Sequence, residues 1–177
     1  MEITKDKAYQ RHNGKPVVAV WGIGFNDDRP YSLDECAALV KFLRDDPKYG
    51  GNAVMVGVPS WWRTLTRDAV EDKKLHEIIL AADIVSPWNV GRFNTPEEAA
   101  RHAIETTGPD IVWCREHKKD YLPVIHPGFS WQNLMKLYKQ EAPLDAVPRL
   151  KGLFLWRQAV EFKKVGAEMF YAAMFDE

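Results

Sequence analysis

Two rhythms alternate along the chain. Short apolar runs recur at Pro16–Trp21 (PVVAVW), Ala53–Val58 (AVMVGV), Tyr121–Ile125 (YLPVI) and Met169–Met174 (MFYAAM), with a shorter stretch at Asp83–Ser86 (DIVS). Runs of this length, rich in Val and Ile and bounded by loop-forming residues, predict buried strands of a parallel sheet. Between them, apolar residues recur every three or four positions. Leu33, Cys36, Ala37, Val40 and Leu43 predict a helix over Leu33–Arg44, with Ser32 as its N-cap and Glu35 completing a capping box. A shorter helix is expected over Asp72–Leu80. Thr95 caps another, with Pro96 at its first position and Glu97 and Glu98 in its first turn, where the helix dipole favours carboxylates. Leu153, Phe154, Trp156, Ala159, Val160, Phe162 and Lys163 mark an amphipathic helix that Gly166 ends.

Other stretches are less regular. The Gly108-Pro109 pair is expected to break the helix begun at Thr95, and Ile111–Glu116 fits either a helical piece or a strand. Pro123 argues against a fully central place for the fourth strand. His126–Pro148 reads as a long loop with a short helix at Asn133–Gln140, and loops of that length in compact domains are commonly functional. Met1–Lys15 reads as a polar leader or linker, and residues 16–177 as one domain.

The order β, α, β, α, β, α, β, α, β implies an α/β fold of parallel β/α units. Five units are too few for a closed (β/α)8 barrel, which takes about 250 residues. The alternatives are an open five-stranded sheet or part of such a barrel, about five of its eight units. The last apolar run leads directly into Asp176 and Glu177, at the strand end where barrels and open sheets place their active sites. The expectation is a barrel piece cut within its catalytic motif.

Composition narrows the chemistry. A net charge of −1 argues against a nucleic-acid partner. No apolar run is long enough to cross a membrane, and no secretion signal stands at Met1–Lys15. If a longer parent exists, a periplasmic, cell-surface or secreted location is compatible with these residues. Cys36 and Cys114 lie in apolar stretches and are expected to be buried free thiols. No metal-ligand spacing, Cys-x-x-Cys pair or phosphate-binding glycine loop is present, so no cofactor or metal is expected; Gly22-Ile23-Gly24 lacks the following glycine and helix start. Ser130 lacks the glycine-flanked elbow of a nucleophile.

Seven tryptophans stand out, and five lie at or just past an expected strand end. Trp21 closes the first strand. Trp61, Trp62 and Arg63 follow the second; Trp88, Asn89 and Arg92 follow the third. His126 and Trp131 follow the fourth, and Asp176 and Glu177 the fifth. In right-handed β/α units these ends share one face. Indoles stack on the C–H faces of sugar rings, Arg and Asn donate to hydroxyls, and paired carboxylates supply the acid and base of glycosidic cleavage. A single Trp is nonetheless more often core than ligand-binding, and Trp113 and Trp156, placed in helices, read as core. A histidine beside a proline is commonly a loop residue bonded to backbone, and the arginines can equally be solvated.

Several blocks are specific enough to compare with a known family: GKPVVAVWGIGF (14–25), GVPSWWR (57–63), SPWNVGRF (86–93), YLPVIHPGFSWQNL (121–134), PRLKGLFLWRQ (148–158) and MFYAAMFDE (169–177). Together they resemble glycoside hydrolase family 71/99-like proteins, many from gut Bacteroides, some of which carry a xylosidase/arabinosidase label. The resemblance spans nearly everything from Gly14 onward. It implies a (β/α)8 TIM-type barrel and hydrolysis of glycans. In family 99 the matching block runs on to a second acid and a glycine. By that match Glu177 corresponds to a glutamate that acts on the sugar 2-hydroxyl, and the position of the general acid/base lies beyond it. Three readings follow: a fragment of a glycoside hydrolase, a carbohydrate-binding protein without catalysis, or an inactive fragment. A cut barrel has open strand edges, so pairing with a second copy is also expected.

Overall fold

The structure is a computed structural model that describes residues 3–174, apart from the side chain of Asn133. The chain forms two compact units. The first comprises residues 1–87 and 114–120, and the second residues 88–113 and 121–177.

Within the stretch that reads as a polar leader or linker, the first unit carries a 3-10 turn (Ile3–Lys5) and then a hairpin. β1 (Arg11–His12) pairs antiparallel with the start of β2 (Lys15–Trp21), and Asn13-Gly14 forms the turn with φ of 50° and 79°. Two successive positive φ values are what a tight hairpin turn needs, and Asn-Gly is the pair best suited to it. β2 then runs parallel to β3 (Ala53–Pro59), with Val17 opposite Ala53 and Trp21 opposite Gly57. β4 (Ile84–Trp88) and β5 (Asp120–Tyr121) follow, giving sheet order β1-β2-β3-β4-β5; their last residues count with the second unit.

All seven positions of β3 are buried, as its unbroken apolar run predicts. β2 is not buried as expected. Ala19 is exposed and the valines half-buried, because β1 covers only the first two residues of its outer flank. α1 (Leu33–Asp45) begins at the predicted capping box: Ser32 Oγ accepts from Glu35 N–H, and the Glu35 carboxylate accepts from Ser32 N–H at 2.7 Å. α2 (Lys74–Ala81) turns Leu75, Ile78 and Ile79 into the core. Both cysteines are buried free thiols.

In the second unit, α3 (Pro96–His102) starts at the predicted Thr95 cap, whose Oγ1 accepts from Glu98 N–H at 3.1 Å. The expected break at Gly108-Pro109 does not occur. The helix widens into a π-turn over Ala103–Thr107 and continues as α4 (Gly108–Glu116). In a regular α-helix the Pro109 ring would clash with the carbonyl four residues back. The extra residue of the π-turn shifts that register, and Gly108 N–H bonds to Ala103 O five residues earlier.

The fourth expected strand is two pieces, β5 and β6 (Val124–Ile125), in different sheets. Pro123, which has no N–H to give a ladder, sits at the division. α5 (Trp131–Leu137) starts earlier than expected. A 3-10 turn (Leu150–Gly152) leads into α6 (Leu153–Lys164), which packs against α3 and the π-turn. β7 (Tyr171–Ala172) pairs parallel with β6; both its residues are exposed, so the final strand is neither as long nor as buried as the sequence suggests. Trp156, expected in the core, is 71% exposed on α6, and Trp113 is half-buried. Among the described residues no helix is long and apolar enough to cross a membrane.

Candidate functional site at the strand ends

In the first unit, two loops grow from the carboxyl ends of β2 and β3. The chain leaves β2 through Gly22, whose φ of 97° lets its own N–H and that of Ile23 both donate to Gly57 O, at 3.1 and 3.0 Å. Tyr31 then ties the far end of the loop back by donating to Gly22 O at 3.0 Å. The second loop is folded over the Asp68 carboxylate, which accepts from Ser60 N–H and Trp61 N–H at 3.1 and 3.2 Å. The two loops are joined by a short antiparallel bridge: Asn26 N–H donates to Asp68 O, Val70 N–H to Gly24 O, and Phe25 lies opposite Ala69.

This framework places several of the expected residues. Trp21 is half-buried, and its indole lies over Gly57 of the neighbouring strand so closely that a Cβ there would overlap the ring. Trp61 is half-buried with the Arg67 guanidinium 4.4 Å above its ring, a cation–π contact that covers one face. Arg63 is also half-buried. Trp62 is a correction. It is fully buried, edge-on to His76, whose ring nitrogen bonds Trp62 O at 3.0 Å. Of the Trp61-Trp62 pair only the first retains surface, because the turn sends the second into the core above α2.

Between the bridged loops and the start of α1 lies a cleft of about 430 Å³. Its wall carries Phe25, Asn26, Asp28, Arg29, Tyr31 and Asp72 over a partly apolar floor of Leu33, Cys36 and Val70. Arg29 is clamped by Asp27 through two parallel bonds of 2.6 and 2.7 Å and lies 5.1 Å over the Phe25 ring. The pairing raises the Arg29 pKa and lowers that of Asp27. Burial pushes the Cys36 thiol up, which keeps it protonated and inert. None of the six wall residues was singled out from the sequence. The signal was there in the ten-residue GIGFNDDRPY loop, which holds two aromatics and three charges immediately after a strand.

In the second unit, Trp88 and Arg92 are half-buried. Asn89 is a second correction. It is fully buried, and its amide donates to Val124 O at 3.1 Å, so it holds the start of β6 instead of facing a ligand. His126, directly after β6, is a third. Its ring has no exposed surface and is enclosed by Phe93 and Phe154, with ring centres 5.5 and 5.1 Å away. Among the described residues neither ring nitrogen has a hydrogen-bond partner, and burial lowers the pKa to about 4, so the imidazole is neutral.

The His126 backbone is fixed instead by Gln158 of α6. The Gln158 amide accepts from His126 N–H at 3.0 Å and donates to His126 O at 2.8 Å and to Phe154 O at 2.9 Å. The side chain thus stands in for a neighbouring strand. A glutamine on the Phe154–Phe162 face of an apolar helix was the signal the sequence offered for it. Trp131, at the first position of α5, is 40% exposed and edge-on to Phe129 at 5.3 Å. Asp176 and Glu177 lie outside the described residues. Among those described, no group of three or more His, Cys, Asp or Glu side chains is arranged to hold a metal.

No protein-family model and no curated protein sequence matches the chain. Solved structures do. The GH99 endo-alpha-mannosidase from Bacteroides thetaiotaomicron superposes with a TM-score of 0.59 at 16% identity, over 93% of this chain and 42% of that one. The structure of the GH99 endo-alpha-mannosidase from that organism in complex with Bis-Tris propane superposes with a TM-score of 0.57 at 12% identity, over 93% and 45%. The chain spans less than half the length of either. At this identity the likeness establishes the fold: alternating β/α units forming part of a TIM-type barrel, as the order of elements predicts.

Proposed function

We propose that the chain belongs to a glycoside hydrolase that binds an oligo- or polysaccharide through residues at its strand ends and cleaves it with a carboxylate pair. The observation that carries the reading is that half-exposed Trp61, Trp88 and Trp131 lie at or after strand ends in a fold like that of endo-alpha-mannosidases. Trp21, at the end of β2, joins them as a half-buried wall residue. Indoles at such positions offer flat apolar faces to sugar rings, while Arg63 and Arg92 donate to hydroxyls. In this reading Glu177, with Asp176 beside it, supplies one carboxylate of the catalytic pair. Trp62, Asn89 and His126 act behind the site as packing and positioning groups.

The test is a hydrolysis screen on α-mannan, arabinoxylan and their oligosaccharides, reading released reducing ends, with Glu177→Gln in parallel. Cleavage by the wild type that the variant loses supports the hydrolase. Saturable glycan binding without cleavage by either supports a carbohydrate-binding role in its place. Absence of both contradicts the proposal.

A further inference from the structure

The cleft beside the bridged loops has an unusual hydrogen-bond inventory. Part of its donor set is already engaged. Arg29 is committed to Asp27 through Nε and Nη2, and its Nη1 points to Tyr31 Oη; Tyr31 donates to Gly22 O, and the Asn26 amide NH₂ to Arg67 O. Its acceptors are open. Asp28 makes no hydrogen bond or ion pair among the described residues, and Asp72 uses only Oδ1, which accepts from Lys74 N–H at 2.8 Å. Because Asp27 and Arg29 cancel, the wall carries a net negative charge from Asp28 and Asp72. The volume falls within the usual range for small-ligand pockets, and Phe25, Leu33 and Val70 give it an apolar side.

From this inventory we infer that the cleft is a separate sugar subsite that takes a neutral glycosyl residue by accepting from its hydroxyls through Asp28 and Asp72, and that turns away acidic sugars. A neutral pyranose brings several O–H donors and an apolar C–H face, which match two carboxylates and a partly apolar wall. A uronic or sulfated sugar brings negative charge to a wall that Asp28 and Asp72 already make negative, and unmatched like charge is a common source of discrimination. The inference rests on the glycan-binding reading above and adds to it where one ring is held and which class is refused.

The experiment is calorimetric titration of the chain with a neutral manno-oligosaccharide and with a uronate-containing oligosaccharide of equal length. It is run on wild type, on Asp28→Asn/Asp72→Asn, and on the charge-matched Asp45→Asn/Asp145→Asn, whose residues do not line the cleft. Asparagine keeps the Asp72 bond to Lys74 N–H and suits the φ of 56° at Asp28, so the fold is retained, with thermal melting as the check. The expected result is at least tenfold weaker binding of the neutral ligand in the cleft variant, narrowed discrimination against the uronate, and no change in the control. Neutral-ligand binding unaffected by the cleft variant overturns the subsite and leaves the glycan reading standing. Absence of any glycan binding by the wild type overturns both.

Discussion

Replacing His126 by phenylalanine removes a group that resists protonation in the folded chain. The imidazole is fully buried between Phe93 and Phe154, with neither nitrogen hydrogen-bonded among the described residues, and burial lowers its pKa to about 4. In the unfolded chain a histidine titrates near ~6.5. As the pH falls below that value the unfolded state takes up a proton that the folded state refuses until about pH 4. Stability is therefore full above the unfolded value and is lost as the pH falls through this window. One unit of displacement corresponds to about 1.4 kcal/mol, so the whole depression amounts to roughly 3 kcal/mol, of which about 2 kcal/mol is lost between pH 7 and pH 5. Carboxylates elsewhere titrate equally in wild type and variant and drop out of the difference. The assay is urea unfolding at pH 7, 6 and 5 for wild type, His126→Phe and His126→Met, the second guarding against overpacking by the larger ring. The wild type should lose about 2 kcal/mol more than either variant over that range. Identical pH dependence in all three proteins refutes a buried neutral imidazole at this position.

Four further outcomes follow from the geometry. Gln158→Leu leaves His126 N–H and C=O without their buried partner and should cost about 2–4 kcal/mol in denaturant unfolding, with faster amide exchange at the end of β6. Gly57→Ala places a methyl group within the Trp21 ring and should displace it, seen as a shifted tryptophan emission and a loss of about 1–3 kcal/mol. Ser32→Ala removes the side chain of the capping box and should lower stability by about 1 kcal/mol, read from the melting temperature. Arg67→Ala uncovers one face of Trp61, costing about 0.5–1 kcal/mol in stability, and should increase fluorescence quenching by bound glycan.

What the sequence revealed was mostly local. The Ser32 capping box and the Thr95-Pro96 helix start involve neighbours in the chain, and both formed as read. β3 was legible because a strand buried throughout needs an unbroken apolar run. What was missed depended on distant partners. Nothing local distinguishes Trp61 from Trp62, yet the turn around Asp68 leaves one at the surface and buries the other. Trp156 reads as core by its helical spacing, but the buried face of α6 runs through Phe154, Gln158 and Phe162 instead. Pro109 looks like a helix breaker until the π-turn before it supplies the extra residue. The Asn13-Gly14 hairpin was a readable signal passed over because the segment is polar.

At the site the same division holds. The sequence indicated which loops gather at the strand ends but not which side chains would keep open surface. Asn89 and His126 look like ligand-facing groups by position, and became structural once Val124, Phe93 and Phe154 closed around them. The six-residue wall of the cleft became visible only when the two loops were seen bridged through Phe25 and Ala69.

The most direct test of the central claim is a tryptophan-fluorescence titration of the chain with neutral oligosaccharides, repeated with Trp61→Ala and Trp131→Ala. Glycan recognition at the strand ends predicts saturable quenching in the wild type that weakens in at least one of these variants while its melting temperature is retained. Emission unchanged by any glycan, or quenching identical in both variants, contradicts it.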